Sequence, residues 1–146
     1  MMVSTRGRYA LRLLLDIAEY QDADGFVPLK DAAERQEISK KYAEQIVNIP
    51  GVSLILESKG GKNGGYRLSK SPSECTVGDI IHAAEGSLSP VSCIADGSSA
   101  CDRRATCAVM SVWQGLDNVI NEYLDGITLQ DILDRSRELG ANDYVI

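Results

Sequence analysis

Apolar residues recur at helical spacing near the start of the chain. Four of them stand three or four positions apart, namely Tyr9, Leu13, Ile17 and Tyr20. Residues with this spacing lie on one face of a helix, and Ser4 or Thr5 is placed to cap its first turn. The pattern therefore predicts an amphipathic helix from Thr5 to Tyr20.

Two shorter helical patterns follow the first helix. Pro28 stands where helices often begin, and the apolar residues after it predict a second helix that ends near Gln36. Ser39 is placed to cap a third helix, and only Glu37 and Ile38 separate the two. Because so short a connection makes the helices cross sharply, the segment is typical of a helix-turn-helix.

A glycine-rich hairpin is predicted after the third helix. Pro50-Gly51 interrupts the helical pattern, and two short apolar runs, residues 54–56 and 66–68, have the character of strands. The loop between them, residues 60–65, carries four glycines and Lys62. Residues 1–75 thus predict a winged helix-turn-helix, mainly α with a small β-hairpin wing. The alternative is an ordinary small α+β domain with no DNA role.

The second half of the chain predicts three more helices around one irregular segment. Thr76 caps a fourth helix over residues 77–84, and the segment 87–106 is polar and irregular. A long helix over residues 108–124 and a last helix over 129–139, stopped by Gly140, precede a loose tail. We therefore divide this half into a linking helix with a cysteine loop, residues 76–107, and a dimerisation part, residues 108–146.

The long helix carries an apolar stripe that the rest of this small chain has little to cover. Trp113 and Ile120 widen the stripe, whose other members are Val109, Val112, Leu116, Val119, Tyr123 and Ile127. A face of this kind favours pairing with the same helix of a second copy, so we expect a homodimer.

Composition limits the class of protein and its compartment. The 146 residues are 44% hydrophobic, which suffices for one modest core. Since we find neither an apolar run of membrane-spanning length nor a secretory signal, we expect a cytoplasmic protein with no membrane partner.

The net charge of −6 is unevenly distributed along the chain. Residues 1–75 hold eleven Lys and Arg against ten Asp and Glu, a net of +1, whereas residues 76–146 hold four against eleven, a net of −7. The acidic charge therefore lies outside the predicted DNA-binding part, and a local basic face is compatible with the sequence.

Basic and polar side chains stand where a winged helix-turn-helix meets double-stranded DNA. The third helix would present six side chains to base edges and phosphates: Ser39, Lys40, Lys41, Tyr42, Glu44 and Gln45. The wing would bring Lys59 or Lys62 to the minor groove or the backbone. The alternative is that Tyr42 belongs to the core and the lysines form a solvated face.

Three cysteines, Cys93, Cys101 and Cys107, lie in the irregular segment, which is too polar to bury them. Thiolates suit an iron-sulfur cluster or zinc, and structural zinc usually requires a closely spaced pair that this sequence lacks. The spacing favours an iron-sulfur cluster, with Asp96, Asp102 or a residue of a partner chain as fourth ligand. Zinc and a thiol-disulfide switch remain alternatives.

Two other candidate residues have simpler interpretations. We expect Cys75, which stands apart from the other cysteines, to be a buried packing thiol, and His82 to be a core or surface residue. Since His82 is the sole histidine and no phosphate-binding loop opens a helix, we expect no enzymatic activity.

Motifs along nearly the whole chain resemble the family of bacterial regulators that includes IscR, NsrR and CymR. They are STRGRYA at residues 4–10, ISKKYAEQ at 38–45, GGYRL at 64–68 and TVGDII at 76–81. The resemblance implies a homodimeric repressor or activator of genes for iron-sulfur assembly, cysteine supply or stress. It also implies a [2Fe-2S] or [4Fe-4S] cluster in members that carry the cysteines.

The chain departs from the family pattern at four places. Met110 stands where the IscR branch has a histidine, and Arg8 stands near an acidic position of NsrR-like members. Gly60, with Lys59 beside it, occupies the usual basic position of the wing, and Pro50-Gly51 replaces helical residues before the wing. The resemblance therefore leaves the fourth cluster ligand and the preferred DNA sequence open.

Together these observations predict a repressor that senses cluster status, redox or nitrosative stress. One alternative is a cluster-free regulator of cysteine metabolism, or a thiol-disulfide switch, on the same fold. Another is an iron-sulfur trafficking or interaction module that does not bind DNA.

Overall fold

The computed structural model describes residues 3–22, 25–95 and 103–143 of the chain. The first helix, α1 (Thr5–Tyr20), has the predicted bounds, and the Ser4 hydroxyl caps it by accepting a hydrogen bond from the Gly7 N–H at 3.2 Å. Leu13 and Ile17 are fully buried, so this helix forms the centre of the core.

The helix-turn-helix consists of α2 (Leu29–Arg35) and α3 (Lys40–Val47). The hydroxyl of Ser39 accepts a hydrogen bond from the Tyr42 N–H at 3.0 Å and caps α3. Three apolar side chains on one side of α3 are buried, namely Ala43, Ile46 and Val47. The opposite side of α3 therefore faces away from the core.

A fourth helix, α4 (Pro50–Ile55), lies where the sequence pattern predicts an interruption and the start of a strand. That prediction is wrong, because proline is well accommodated in the first turn of a helix, where its missing N–H has no partner to lose. Gly51 lets α4 approach the next helix closely, since a Cβ at this position would lie 2.9 Å from the Ala83 carbonyl oxygen. Pro50-Gly51, where the chain departs from the family pattern, therefore still forms part of a helix before the wing.

The wing is an antiparallel hairpin of β1 (Leu56–Lys59) and β2 (Gly65–Leu68). Its register pairs Leu56 with Leu68, and both side chains are buried. The first strand therefore starts at the last residue of the predicted run 54–56 and extends to Lys59.

Val27, which precedes α2, pairs with β2 of the wing as an isolated β-bridge. The Val27 N–H donates to the Tyr66 carbonyl and the Tyr66 N–H to the Val27 carbonyl, both at 2.8 Å. Gly65 permits this approach, because a Cβ there would lie 2.1 Å from the Val27 oxygen. The wing is thereby fixed to the start of the helix-turn-helix.

The second half contains α5 (Val77–Glu85), a 3-10 helix (Ser92–Ile94), α6 (Met110–Asp125) and α7 (Leu129–Asp143). Helices α5 and α7 begin at the predicted residues, and α5 and α6 each end one residue beyond the predicted end, whereas α6 begins at Met110, two residues after the predicted start. The Thr76 hydroxyl and the Asp79 carboxylate cap α5 reciprocally, as the sequence predicts for Thr76.

The predicted end of the last helix at Gly140 is wrong. Helix α7 continues through this glycine to Asp143, because one glycine costs a helix only about 1 kcal/mol. The prediction of a loose tail over residues 141–146 is also wrong for 141–143, and residues 144–146 lie outside the described part.

A second, smaller apolar cluster joins α5 to α6. Val77, Ile81 and Leu88 are buried there, and Ile120 and Leu124 of α6 pack against them. The chain is thus mainly α-helical with a small two-stranded wing, which confirms the predicted winged helix-turn-helix fold.

Candidate nucleic-acid interface and cysteine loop

The predicted DNA-contacting side chains of α3 are exposed, with one exception. Those exposed are Ser39, Lys40, Lys41, Glu44 and Gln45. Tyr42 is half-buried, and its ring packs edge-on against Tyr9 of α1, with the ring centres 5.9 Å apart and the planes at 82°. Tyr42 therefore serves partly in packing.

A shallow groove of about 310 Å³ separates α3 from the wing. Lys40 and Glu44 line it from α3, Lys62 lines it from the wing loop, and Lys30 lines it from the first turn of α2. The Lys40 ammonium lies 4.0 Å from the Glu44 carboxylate, and both side chains are largely exposed. The fold thus brings together three lysines from separate parts of the sequence.

This groove has the chemistry of a nucleic-acid contact. Lysine ammonium groups attract phosphates, and a glutamate side chain can accept hydrogen bonds from base edges. The sequence pattern does not single out Lys30, because it stands isolated beside Asp31. The sequence feature that marks Lys30 is its position in the first turn of the helix that follows Pro28.

Lys59 lies outside the set of side chains that line this groove. Its ammonium is 5.8 Å from the centre of the Phe26 ring, and the guanidinium of Arg67 is 4.5 Å from the same ring. Arg67 also donates a 2.8 Å hydrogen bond to the Glu57 carboxylate on the opposite strand. Of the two predicted wing lysines, Lys62 is therefore the one that shares a groove with α3.

A buried ionic network supports the turn between α2 and α3. Asp16 of α1 is 3% exposed and accepts a 2.7 Å hydrogen bond from Arg35. The Gln36 side-chain amide donates to the same carboxylate at 3.0 Å. The hydrogen bond to Asp16 raises the pKa of Arg35 above its ordinary value, so the guanidinium stays charged. No feature of the hydrophobic pattern indicates this network.

Two of the three predicted cluster ligands lie in the described part of the chain. Cys93 lies in the 3-10 helix, Cys107 precedes α6, and both are half-buried and free of a disulfide. Cys101, Asp96 and Asp102 lie outside the described residues. Within the described ranges, no three metal-ligating side chains of His, Cys, Asp or Glu form a group around one point.

The two arms of the cysteine loop, one around Ile94 and the other around Arg104, lie against the same part of α6. Ile94, next to Cys93, and Arg104, three residues before Cys107, line one polar groove of about 340 Å³. Asp117 and Asn118 of α6 line its other side. The fold therefore brings the chain near Cys93 and the chain near Cys107 to a common surface.

Cys75 is a buried thiol of the main hydrophobic core. It is 2% exposed, and burial, reinforced by the Asp79 charge, raises the pKa of its thiol to about 11. The prediction that it packs in the core is confirmed. His82 is half-buried on α5, where its ring lies 3.5 Å from the Gly86 carbonyl.

One face of α6 is apolar and open to solvent. Five residues along it, the N-cap Val109 and four within the helix, are 40 to 68% exposed: Val109, Val112, Leu116, Val119 and Tyr123. They recur at alternating intervals of three and four residues, which is the spacing of a coiled-coil seam. Ile127, predicted as part of this stripe, instead packs against the cluster around Val77.

The helix-turn-helix, the wing and the lysine-lined groove between them define a winged-helix DNA-binding regulator. The chain belongs to the Rrf2 family, described as iron-dependent transcriptional regulators, which matches residues 3–135. It is 35% identical over 133 residues to the HTH-type transcriptional regulator IscR of Aliivibrio salmonicida, covering 91% of this chain and 77% of that protein.

Solved structures show the same relationship. The structure of T. potens IscR has a TM-score of 0.73 and 34% identity, covering 95% of this chain and 90% of its own. That of CymR, the global cysteine regulator of B. subtilis, has a TM-score of 0.73 and 30% identity, covering 92% and 98%.

These matches confirm the resemblance inferred from the sequence motifs. The protein is a transcriptional regulator with a DNA-binding winged helix, and the expectation that it is not an enzyme is also confirmed. In the part of the chain that the structure describes, no helix has both the length and the apolar character needed to cross a membrane.

Proposed function

We propose that the protein is a cytoplasmic repressor that binds a palindromic operator as a homodimer and responds to the state of an iron-sulfur cluster. Residues 1–75 bind DNA, residues 76–107 hold the cluster and residues 108–146 join the subunits. The observation that carries the DNA-binding part is the groove where Lys40 and Glu44 of α3 face Lys62 of the wing. A helix in the major groove with a wing beside it places charge and hydrogen-bonding groups on one DNA surface.

The lysines and the other exposed side chains of α3 have different roles in this proposal. Three lysines neutralise phosphates, namely Lys40, Lys41 and Lys62. Ser39 and Tyr42 hydrogen-bond the DNA backbone, whereas Glu44 and Gln45 contact base edges. Lys59 supports the wing from its position over Phe26 and reaches the backbone at the edge of the interface. Phosphate contacts should therefore set the affinity and base contacts the sequence preference.

DNA binding is tested with a duplex that the wild-type protein selects from a random library. We expect Lys40→Gln and Lys62→Gln each to weaken binding to all duplexes and to reduce the salt slope by about 0.9. Glu44→Gln should instead change the preferred base at one position. The control is Arg137→Gln on α7, a position far along the chain from α3. Unchanged salt slopes in both lysine variants would contradict the assigned face.

Cys93, Cys101 and Cys107 would hold the cluster in this proposal. The two described thiols fit it, because both are half-buried, neither is in a disulfide, and the loop arms next to them meet on one surface. Thiolate sulfur is the usual ligand of such clusters. A bound cluster would supply a centre that reacts with oxygen or nitric oxide, or is lost when iron is scarce.

Anaerobic purification from a host that assembles clusters tests this part. We expect a coloured protein with stoichiometric iron and sulfide, and we expect Cys93→Ser and Cys107→Ser to lose both. Cys75→Ser is the matched control, because Cys75 is buried in the main core and precedes α5, so its replacement should leave the iron content unchanged. A colourless wild-type protein without stoichiometric iron would refute the cluster.

A cluster-free regulator of cysteine metabolism is the second candidate. The structure of CymR, a cysteine regulator, matches this chain with the same TM-score of 0.73 as that of T. potens IscR, at 30% against 34% identity, which supports this candidate as well. The other form of this candidate is a thiol-disulfide switch, formed by the loop thiols on the same fold. Alkylation of Cys93 and Cys107 in freshly purified, metal-free protein with intact DNA binding would support it.

The exposed seam of α6 supports the homodimer. A helix face with five large apolar side chains in coiled-coil spacing is stabilised when a second helix covers it. Sedimentation equilibrium should show a dimer, and Leu116→Glu together with Val119→Glu should shift it to a monomer. Ser136→Glu on an exposed position of α7 is the control. A wild-type monomer at micromolar concentration would contradict the homodimer.

A continuous path of close contacts supports coupling of the cysteine loop to α3. Helix α6 packs on α5 through Ile120 and Leu124, and the backbone of α5 at Ala83 lies against α4 at Gly51. Helix α4 directly follows α3. A change in the loop at the start of α6 would therefore alter the separation of the two recognition helices and their fit to the operator.

A further inference from the structure

Arg12 of α1 contacts the turn of the helix-turn-helix. Its Nε donates to the side-chain oxygen of Gln36 at 3.0 Å, and its Nη2 reaches the Gln36 backbone oxygen at 3.4 Å. Gln36 is the C-cap of α2, directly after its last residue, Arg35. Because the last carbonyls of a helix lack partners within the helix, a guanidinium at this point stabilises the helix end.

The turn that Arg12 contacts has an unusual backbone. Glu37 has a φ of 57°, in the left-handed region that favours glycine. It is the one non-glycine residue with positive φ in the described ranges. The turn therefore depends on contacts from outside, and Gln36 supplies two of them, since it accepts from Arg12 and donates to the buried Asp16 at 3.0 Å.

A second route leads from Arg12 to the recognition helix. The guanidinium of Arg12 lies 5.0 Å from the centre of the Tyr9 ring, and Tyr9 packs edge-on against Tyr42. The Tyr42 N–H in turn donates to the Ser39 hydroxyl that caps α3. Arg12 thus touches the residue before the turn and the aromatic pair that holds the first turn of α3.

We propose that Arg12 is a positioning residue of the DNA-binding face, which fixes the start of α3 through Gln36 and Tyr9. The inference rests on the proposed use of α3 for base reading. Base edges are read over short hydrogen bonds that tolerate little displacement, whereas attraction to phosphates depends weakly on the placement of the helix. Loss of Arg12 should therefore reduce sequence discrimination more than general DNA affinity.

Two duplexes of equal length test this role, one selected by the wild-type protein from a random library and one with the same bases scrambled. For Arg12→Gln we expect about tenfold weaker binding to the selected duplex, within the usual range for a coupled contact. Binding to the scrambled duplex and the salt slope should change little. Arg12→Lys keeps the charge but lacks the planar fork of donors, so it should not restore discrimination.

A double-mutant cycle separates the route through Gln36 from other effects. If Arg12 acts through Gln36, Arg12→Gln in a Gln36→Ala background should cost much less than in the wild type. Arg137→Gln, which removes an exposed arginine from α7, is the control for a lost charge. Thermal melting of each variant checks that the fold is retained.

Three results would overturn the inference. Equal losses on both duplexes with a salt slope smaller by about 0.9 would make Arg12 a direct phosphate contact. Unchanged binding to both would remove Arg12 from the DNA-binding face. If the wild-type protein selects no duplex at all, the proposed DNA-binding face is wrong, and the role of Arg12 is wrong with it. The first two results would instead contradict the role of Arg12 and leave the DNA-binding face unaffected.

Discussion

The carboxylate of Asp16 in α1 accepts hydrogen bonds from Nε and Nη2 of Arg35 in α2, at 2.7 to 3.1 Å. The two ends of this pair differ in exposure, since the side chain of Asp16 is 2% exposed and that of Arg35 is 32% exposed. The guanidinium also lies 3.8 Å from the centre of the Tyr20 ring. The pair therefore fixes α2 to α1 through one buried and one accessible charge.

We predict that removing Arg35 destabilises the protein more than neutralising Asp16. Arg35→Met leaves a buried carboxylate with Gln36 as remaining donor and should lower the free energy of unfolding by about 3 kcal/mol. Asp16→Asn leaves a guanidinium that can turn to water and should cost about 1 to 2 kcal/mol. Urea unfolding measures both, and the reverse order would contradict the difference in burial.

We predict opposite effects of alanine at two helical glycines, because Gly51 of α4 lies against α5 whereas Gly140 of α7 has open space around it. A Cβ at Gly51 would lie 2.9 Å from the Ala83 oxygen and 3.0 Å from its Cα, so Gly51→Ala should cost about 1 to 3 kcal/mol. A Cβ at Gly140 would meet nothing within 4 Å, so Gly140→Ala should be neutral or stabilising by up to about 1 kcal/mol. Equal thermal midpoints for the two variants would contradict the backbone contact.

Burial of Cys75 predicts a loss of stability at alkaline pH. Its pKa is raised from 9.0 to about 11 in the folded state, so the unfolded thiol ionises first as the pH rises. The unfolded state is therefore favoured progressively between pH 9 and about 11, and stability present below pH 9 is lost. The free energy of unfolding of wild type relative to Cys75→Val should fall across this window. A constant difference would indicate that the thiol titrates normally.

The backbone of Glu37 predicts that glycine is tolerated at the helix-turn-helix turn and a β-branched residue is not. With φ at 57°, Glu37→Gly relieves a strain of about 1 to 2 kcal/mol but adds freedom to the unfolded chain, so stability should stay equal or rise slightly. Glu37→Val should lower it by about 1 kcal/mol or more. Calorimetry on the three proteins decides, and a valine variant as stable as the glycine variant would exclude strain at this turn.

Local sequence signals predicted most helices well because their causes are local. The bounds of α1 and the caps of α3 and α5 follow from apolar spacing and from one hydroxyl each at Ser4, Ser39 and Thr76. The errors at Pro50 and Gly140 have a common reason. Both residues have low helix propensity in the interior, but position in the first turn and packing of the rest of the helix override propensity.

The candidate site was predictable in its residue types and less so in its arrangement. The sequence indicated Lys40, Lys62 and the cysteines from motif and charge, yet Lys59 and Lys62 were equivalent candidates until the wing placed one in the groove and the other over Phe26. The sequence pattern did not single out Lys30 or Arg12 as part of the site, because their positions relative to α3 and its turn depend on contacts between residues distant in the chain.

The sequence by itself determined the order of the helices, the winged helix-turn-helix and the three cysteines, since apolar spacing, caps and residue chemistry are written in neighbouring positions. The tertiary structure alone decided which lysines share a groove, how Asp16 joins Arg35 and Gln36, and that the arms of the cysteine loop meet on α6. These contacts join residues far apart in the chain, so they depend on how the helices pack around α1, which no local pattern contains.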